Sequence, residues 1–241
     1  MRRLSIAFLA LAFLCSCNSG DLRSFWKDVP LLETDIRVSE SRLAQFAELA
    51  VRAPESEALA SLDLLFDRLK ENEVAYYVYC DWMDGAFYSI FSPCRNARLY
   101  SKAVDRMALD GIHSSSSLAP FLQRREWIQY NQKGLRATVP GVSFSNSEND
   151  RAMPQKTLVL VLDLSCPSCR EALTRMASAP EWDGARHIAI CCNYGPVPDI
   201  PGWEYISDKE AVSAVFDPEM TPVYFVTDAD GIVETPYTLA L

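Results

Sequence analysis

Apolar positions along the 241-residue chain change their period near residue 131. Before that point the spacing is helical. Leu43, Phe46, Ala47 and Ala50 line one face, Leu62, Phe66 and Leu69 a second, and Ala97, Tyr100, Val104 and Met107 a third. A fourth helix is predicted from Leu118 to Tyr130, with Pro120 tolerated in its first turn. Pro54, Pro93 and the polar "HSSSSLAP" supply the breaks, so a helical bundle is the economical reading. Between the second and third faces lies "YYVYCDWMDGAFYSIFSPCRN", dense in aromatic rings. Such a stretch serves core packing or docking onto a second domain more often than it lines a ligand groove.

After residue 131, Thr157 to Asp163 and His187 to Cys192 are unbroken apolar runs of strand length. That pattern suits parallel strands covered on both faces. A helix from about Pro167 to Ser178 separates them and ends before Pro180. A second helix is predicted from Ser207, where Ser-Asp-Lys-Glu places Glu210 in a capping box. Val212, Val215 and Phe216 form its buried side. Pro222 opens a third strand, "PVYFVT", and "DADG" turns it into a fourth, "IVET". The expected architecture is a mainly α-helical domain over residues 17–130, followed by an α/β domain over 131–241 with a parallel part and an antiparallel edge.

The first residues add a destination. Arg2 and Arg3 precede the apolar run Leu4 to Leu14, too short to span a bilayer and suited to a secretory signal. The run closes as "FLCSCNSG", and a small Ser16 ahead of Cys17 resembles a lipobox, the bacterial signal for lipid attachment at a cysteine. An ordinary signal peptide is the plainer alternative. Residues 1–16 are thus expected to be cleaved, with Cys17 lipidated and the mature chain anchored in the cell envelope, at the outer membrane facing periplasm or surface. Net charge is −9 for the whole chain and about −11 once Arg2 and Arg3 are gone. With no Lys/Arg cluster, the footprint of a nucleic-acid partner is missing. In an exported protein the remaining cysteines read as redox or structural thiols.

The chemistry concentrates in "DLSCPSC". Pro167 suits the first position of a helix, which makes Cys166 the N-cap. A thiolate there meets unpaired N–H groups and the positive end of the helix dipole, so its pKa should fall. Cys169 lies one turn on and can close a small disulfide. Cys80 and Cys94 flank the aromatic stretch, and their pairing stays open because sequence gives no distance. Cys191 and Cys192 end a strand at the same sheet edge as Cys166 and point to opposite faces. They read as buried small hydrophobes, with an auxiliary thiol or a thiolate metal site as alternatives.

Strand and helix order, the cysteine pair and "EMTPVYFV" together resemble the thioredoxin fold over about residues 131–235. "GLRATVPGVSF" looks like the lead-in of envelope thiol–disulfide oxidoreductases related to thioredoxin. The helical half resembles a domain found upstream of such modules in bacterial lipoproteins. The resemblance implies a Cys-Pro-Ser-Cys redox centre at Cys166 and Cys169, and a residue-plus-cis-proline step at Thr221 and Pro222 that holds the substrate strand. It calls for no cofactor, and it makes protein thiols or disulfides of the envelope the partners. Leu160 stands where thioredoxin carries a buried acid, Ser165 replaces the usual tryptophan, and Asp163 either substitutes for the acid or caps the loop before Cys166. The family's final helix is not expected so soon after the last strand, and its sheet face would be left to the helical half. The alternative function is a lipid-anchored binding module whose thioredoxin-like half is structural.

Overall fold

Among the described residues, five α-helices precede the sheet: α1 (Ile36–Ala50), α2 (Glu55–Leu69), α3 (Glu73–Met83), α4 (Ala97–Asp110) and α5 (Ser115–Gln129). Residues 22–144, 155–193, 195–198 and 200–240 are described by the structure, a computed structural model. The predicted signal segment and Cys17 lie outside them. Most of the helices start on a short polar side chain that accepts a first-turn N–H. Asp35 takes Arg37 N, Asn72 takes Ala75 N, and Asn96 takes both Arg98 N and Leu99 N. Gly111 ends α4 at φ +65°, the left-handed conformation that favours glycine. Their inward faces meet in one core that buries Trp26, Phe46, Leu62, Phe66, Tyr79 and Ile128.

Two helices differ from the sequence expectation. The aromatic stretch forms α3 and then a wider π-helical turn, Asp84–Tyr88, closed by Ser89 N donating to Asp84 O. Apolar residues on nearly every side hide the period, yet Tyr76, Tyr79, Cys80 and Met83 are the buried set and fall at helical spacing. The tyrosines reach polar partners at their tips: Tyr76 to Asp110 Oδ2 at 3.0 Å and Tyr79 to Leu31 O at 2.8 Å. Helix α5 begins at Ser115, earlier than predicted, because Ser114 Oγ caps it through Ser117 N. Pro120 therefore sits in the second turn. Cys80 and Cys94 are both buried and unbridged.

The second half is a five-stranded sheet in the order β3-β2-β1-β4-β5. Its strands are β1 (Lys156–Leu162), β2 (Arg186–Cys191), β3 (Trp203–Ile206), β4 (Val223–Asp228) and β5 (Val233–Leu239). β1 pairs in parallel with β2, and β2 with β3, while β4 and β5 run antiparallel. The sequence reading lacked β3, a four-residue edge strand behind a proline-rich loop with no apolar run to mark it. Helix α6 (Pro167–Ala177) packs on one face against Leu158, Leu160 and Leu162. Helix α7 (Lys209–Val215) packs on the other, against Val159, Val161 and Ile190. Its cap is Asp208, accepting Ala211 N at 3.2 Å, one residue later than the predicted Ser207 box. Burial on both faces accounts for the unbroken apolar runs of β1 and β2.

The helical half docks on the α7 face, opposite α6. Trp127 Nε1 donates to Ser213 O at 2.8 Å, and the Arg95 guanidinium lies 5.8 Å from the Tyr237 ring centroid. Ile90 and Tyr130 extend the apolar packing on that face. The aromatic stretch thus serves both packing roles, Tyr76 and Tyr79 in the core and Tyr88 at the junction. β5 itself leaves Glu234 and Pro236 exposed, and two register shifts interrupt its pairing with β4 between Tyr224 and Thr227.

Candidate functional site

β1 delivers the chain at Leu162, and the next three residues turn it into α6. Asp163 organises that turn. Its Oδ1 accepts from Ser165 N at 2.8 Å and Ser165 Oγ at 2.6 Å, and its carbonyl accepts Cys166 N at 3.0 Å. Its Oδ2 accepts Asn193 Nδ2 at 2.7 Å, tying the turn to the end of β2. The bonds from Ser165 and Asn193 hold this carboxyl below the usual carboxylate range. Of the two roles left open for Asp163, the geometry shows the loop cap. Arg170 completes the frame from α6, donating to Leu164 O at 2.7 Å and Ser165 O at 3.2 Å. Sequence reasoning passed over Asn193 and Arg170. Arg170 carried a signal, since it lies four residues after the N-cap, on the face that looks back over the turn.

Cys166 is the N-cap residue, with extended backbone angles, and Pro167 occupies the first helical position. The first-turn N–H groups of Cys169 and Ser168 face its sulfur without closing a full side-chain cap bond. They favour the thiolate, and the Cys166 pKa is lowered, chiefly by the Cys169 N–H. Cys169, one turn deeper, has no exposed surface. Burial raises its pKa, against the Asp163 N–H, which donates to its sulfur at 3.4 Å, and the Thr221 hydroxyl. The two thiols lie against each other in opposite electrostatic settings. One is exposed enough to react, and the other is sheltered.

Thr221 reaches this pair from across the sheet. Asp217 Oδ1 accepts Glu219 N at 2.8 Å and so caps a short 3-10 turn, Pro218–Met220. Thr221 Oγ1 then bonds back to Pro218 O at 3.2 Å, which leaves the hydroxyl beside Cys169. The Thr221–Pro222 peptide bond is cis, and β4 starts at the next residue. Cys166, Cys169, Thr221 and Pro222, far apart in sequence, thus share one sheet edge. Cys191 and Cys192 reach the same edge and turn to opposite faces. Burial pushes their thiols up to about 11 and about 12. Among the described residues, no group of three or more His, Cys, Asp or Glu side chains is placed to hold a metal ion.

The arrangement can do dithiol chemistry: an activated, partly accessible sulfur, a second sulfur within closing reach, and the cis Thr221–Pro222 step beside them. No protein-family model matches the chain. No curated protein matches it either. Among solved structures, a thioredoxin-like protein from Bacteroides caccae ATCC 43185 superposes with a TM-score of 0.66 at 16% identity. The match covers 91% of this chain and 87% of that one, more than the sheet half alone could supply, so the helices are matched as well. The chain has a thioredoxin-like α/β half preceded by a helical half.

Proposed function

We propose that the protein is a thiol–disulfide oxidoreductase of the cell envelope, anchored by lipid at Cys17. The observation that carries the reading is the partly exposed Cys166 sulfur at a helix N-cap, one turn from the buried Cys169 thiol and beside the Thr221–Pro222 step. The Cys166 thiolate attacks one sulfur of a partner disulfide. A Cys166–partner disulfide forms, and the partner's other sulfur leaves as a thiolate. Cys169, on losing its proton to solvent or to that leaving thiolate, attacks the Cys166 sulfur. The intramolecular disulfide closes and the partner leaves fully reduced. Two electrons pass from the Cys166–Cys169 pair to the partner, and the reverse sequence oxidises a partner dithiol. The backbone around Thr221 and Pro222 holds the partner segment as an added strand, and no cofactor takes part.

Removing the second thiol stalls the sequence after its first step. Cys169→Ser is expected to accumulate mixed disulfides with envelope proteins, seen as high-mass bands that vanish on reduction. Cys166→Ser is expected to trap far less, since its attacking sulfur is gone. Cys80, Cys94, Cys191 and Cys192 are replaced by alanine in both variants to remove accidental crosslinks. Equal, near-background trapping by the two variants would overturn the proposal in favour of a binding module.

The anchor is tested separately. Among the described residues no helix is long and apolar enough to cross a membrane. The proposed attachment rests on the small Ser16 ahead of Cys17. Cys17→Ala should abolish labelling by a radioactive fatty acid and shift the protein from the membrane to the soluble fraction. Undiminished label would place the lipid elsewhere.

A further inference from the structure

The turn that carries Thr221 is held from both sides, and one side is the helical half. Tyr88, at the end of the π-helical turn, donates its hydroxyl to Asp217 Oδ2 at 2.6 Å, across 129 positions of sequence. Both residues are buried. The other oxygen of the same carboxylate caps the Pro218–Met220 turn through Glu219 N. Arg124 of α5 runs alongside, with Nη1 3.1 Å from Asp84 Oδ2 and Nη2 3.2 Å from Glu219 Oε2. Its guanidinium also lies 5.7 Å from the Tyr88 ring centroid, and the Tyr100 hydroxyl donates to Asp84 Oδ1 at 2.6 Å. One carboxylate therefore joins two jobs. Asp217 grips the helical half with one oxygen and sets the Thr221 turn with the other.

We infer that the helical half is a working part of the dithiol site: Tyr88, through Asp217, is a positioning residue that keeps Thr221 beside the Cys169 sulfur. The inference rests on reading Cys166 and Cys169 as an exchange centre. It assigns to residues 17–130 the task of fixing the strand edge where a partner segment would bind and of keeping the resolving thiol sheltered until the mixed disulfide forms. A phenol–carboxylate bond between buried groups is among the stronger polar contacts a protein makes, and losing it also strands an acceptor oxygen. Without it the turn should open more often, and Cys169 should become reachable.

The test reads thiol exposure in the reduced protein and needs no substrate, so it stands even if trapping experiments reject the exchange function. Tyr88→Phe keeps the ring and removes only the hydroxyl. Alkylation by iodoacetamide, followed residue by residue through peptide mass, is expected to speed up at Cys169 by roughly tenfold or more, the opening expected from one lost charged hydrogen bond. Cys191 and Cys80, equally buried, serve as internal references and should keep their rates. Asp217→Asn leaves one acceptor oxygen for two donors and should give the same selective effect. Unchanged Cys169 reactivity would overturn the inference. So would a parallel rise at Cys169, Cys191 and Cys80, which marks a general loss of stability. If neither variant folds, hydrogen exchange in the unaltered protein decides. The Glu219 and Met220 amides, both bonded to Asp217, should then be protected as well as those of β4. Exchange at the rate of an open loop would sink the idea.

Discussion

Alkylation of the reduced protein at pH 7 is expected to modify Cys166 at least about a hundredfold faster than Cys191 or Cys192. An ordinary thiol, with a pKa near 8.5, is about one part in thirty thiolate at that pH. Cys191, pushed up to about 11, and Cys192, pushed up to about 12, hold on the order of one part in ten thousand and one in a hundred thousand. Cys166 lies below the ordinary value, so its thiolate fraction exceeds that of a free thiol. Exposure acts in the same direction, since Cys166 is partly open to solvent while the others are buried. The Cys166 rate rises with pH and levels off earlier than that of a free thiol, whereas the buried thiols keep gaining through the alkaline range. Peptide mass across a pH series measures every cysteine in one experiment. A Cys169 that reacts first, or a Cys166 that titrates like a free thiol, would show that the N-cap setting does not activate the sulfur.

The N-cap geometry was legible because it is local. Pro167 fixes where the helix starts, and a three-residue spacing fixes where the second sulfur falls, so neither needs knowledge of the rest of the fold. Parallel strands were equally legible, since burial on both faces leaves an unbroken apolar run in β1 and β2. Elements without a one-dimensional signature escaped. Helix α3 is apolar on nearly every side, and a helix with no polar face shows no period. β3 is a four-residue edge strand whose pairing is supplied by β2 and not by its own sequence. The Tyr88–Asp217 bond joins residues 129 positions apart, and no local pattern could announce it. Most residues that frame the site are of this last kind. Asn193, Asp217 and Tyr88 are ordinary polar residues whose role is conferred by tertiary neighbours.

That division between local and tertiary determinants makes a second large effect separable from the first. Phe225→Ala in β4 is expected to destabilise the protein by about 3–5 kcal/mol, the range for truncating a fully buried phenylalanine. Phe225 has no exposed surface; it stacks on Phe216 at 6.4 Å and meets Tyr237 edge-on at 5.4 Å. Its ring fills the α7 face of the sheet, where β4, β5 and α7 converge and the helical half docks. Alanine would leave a cavity that three secondary elements cannot close together, because each is pinned by its own strand pairing or cap. For a chain of this size the loss corresponds to a fall in Tm of about 6–20 °C. It also removes a large share of the 5–15 kcal/mol that holds a typical domain folded. Urea unfolding followed by tryptophan fluorescence should show a lower midpoint at unchanged slope. Cys166 alkylation at pH 7 should stay at the rate of the unaltered protein, because α6 rests on Leu158, Leu160 and Leu162 on the opposite face. A loss below about 1 kcal/mol would mean that the α7 face is not the core joining the two halves. A large loss accompanied by slowed Cys166 alkylation would mean that the thiol setting depends on the whole sheet and not on the N-cap alone.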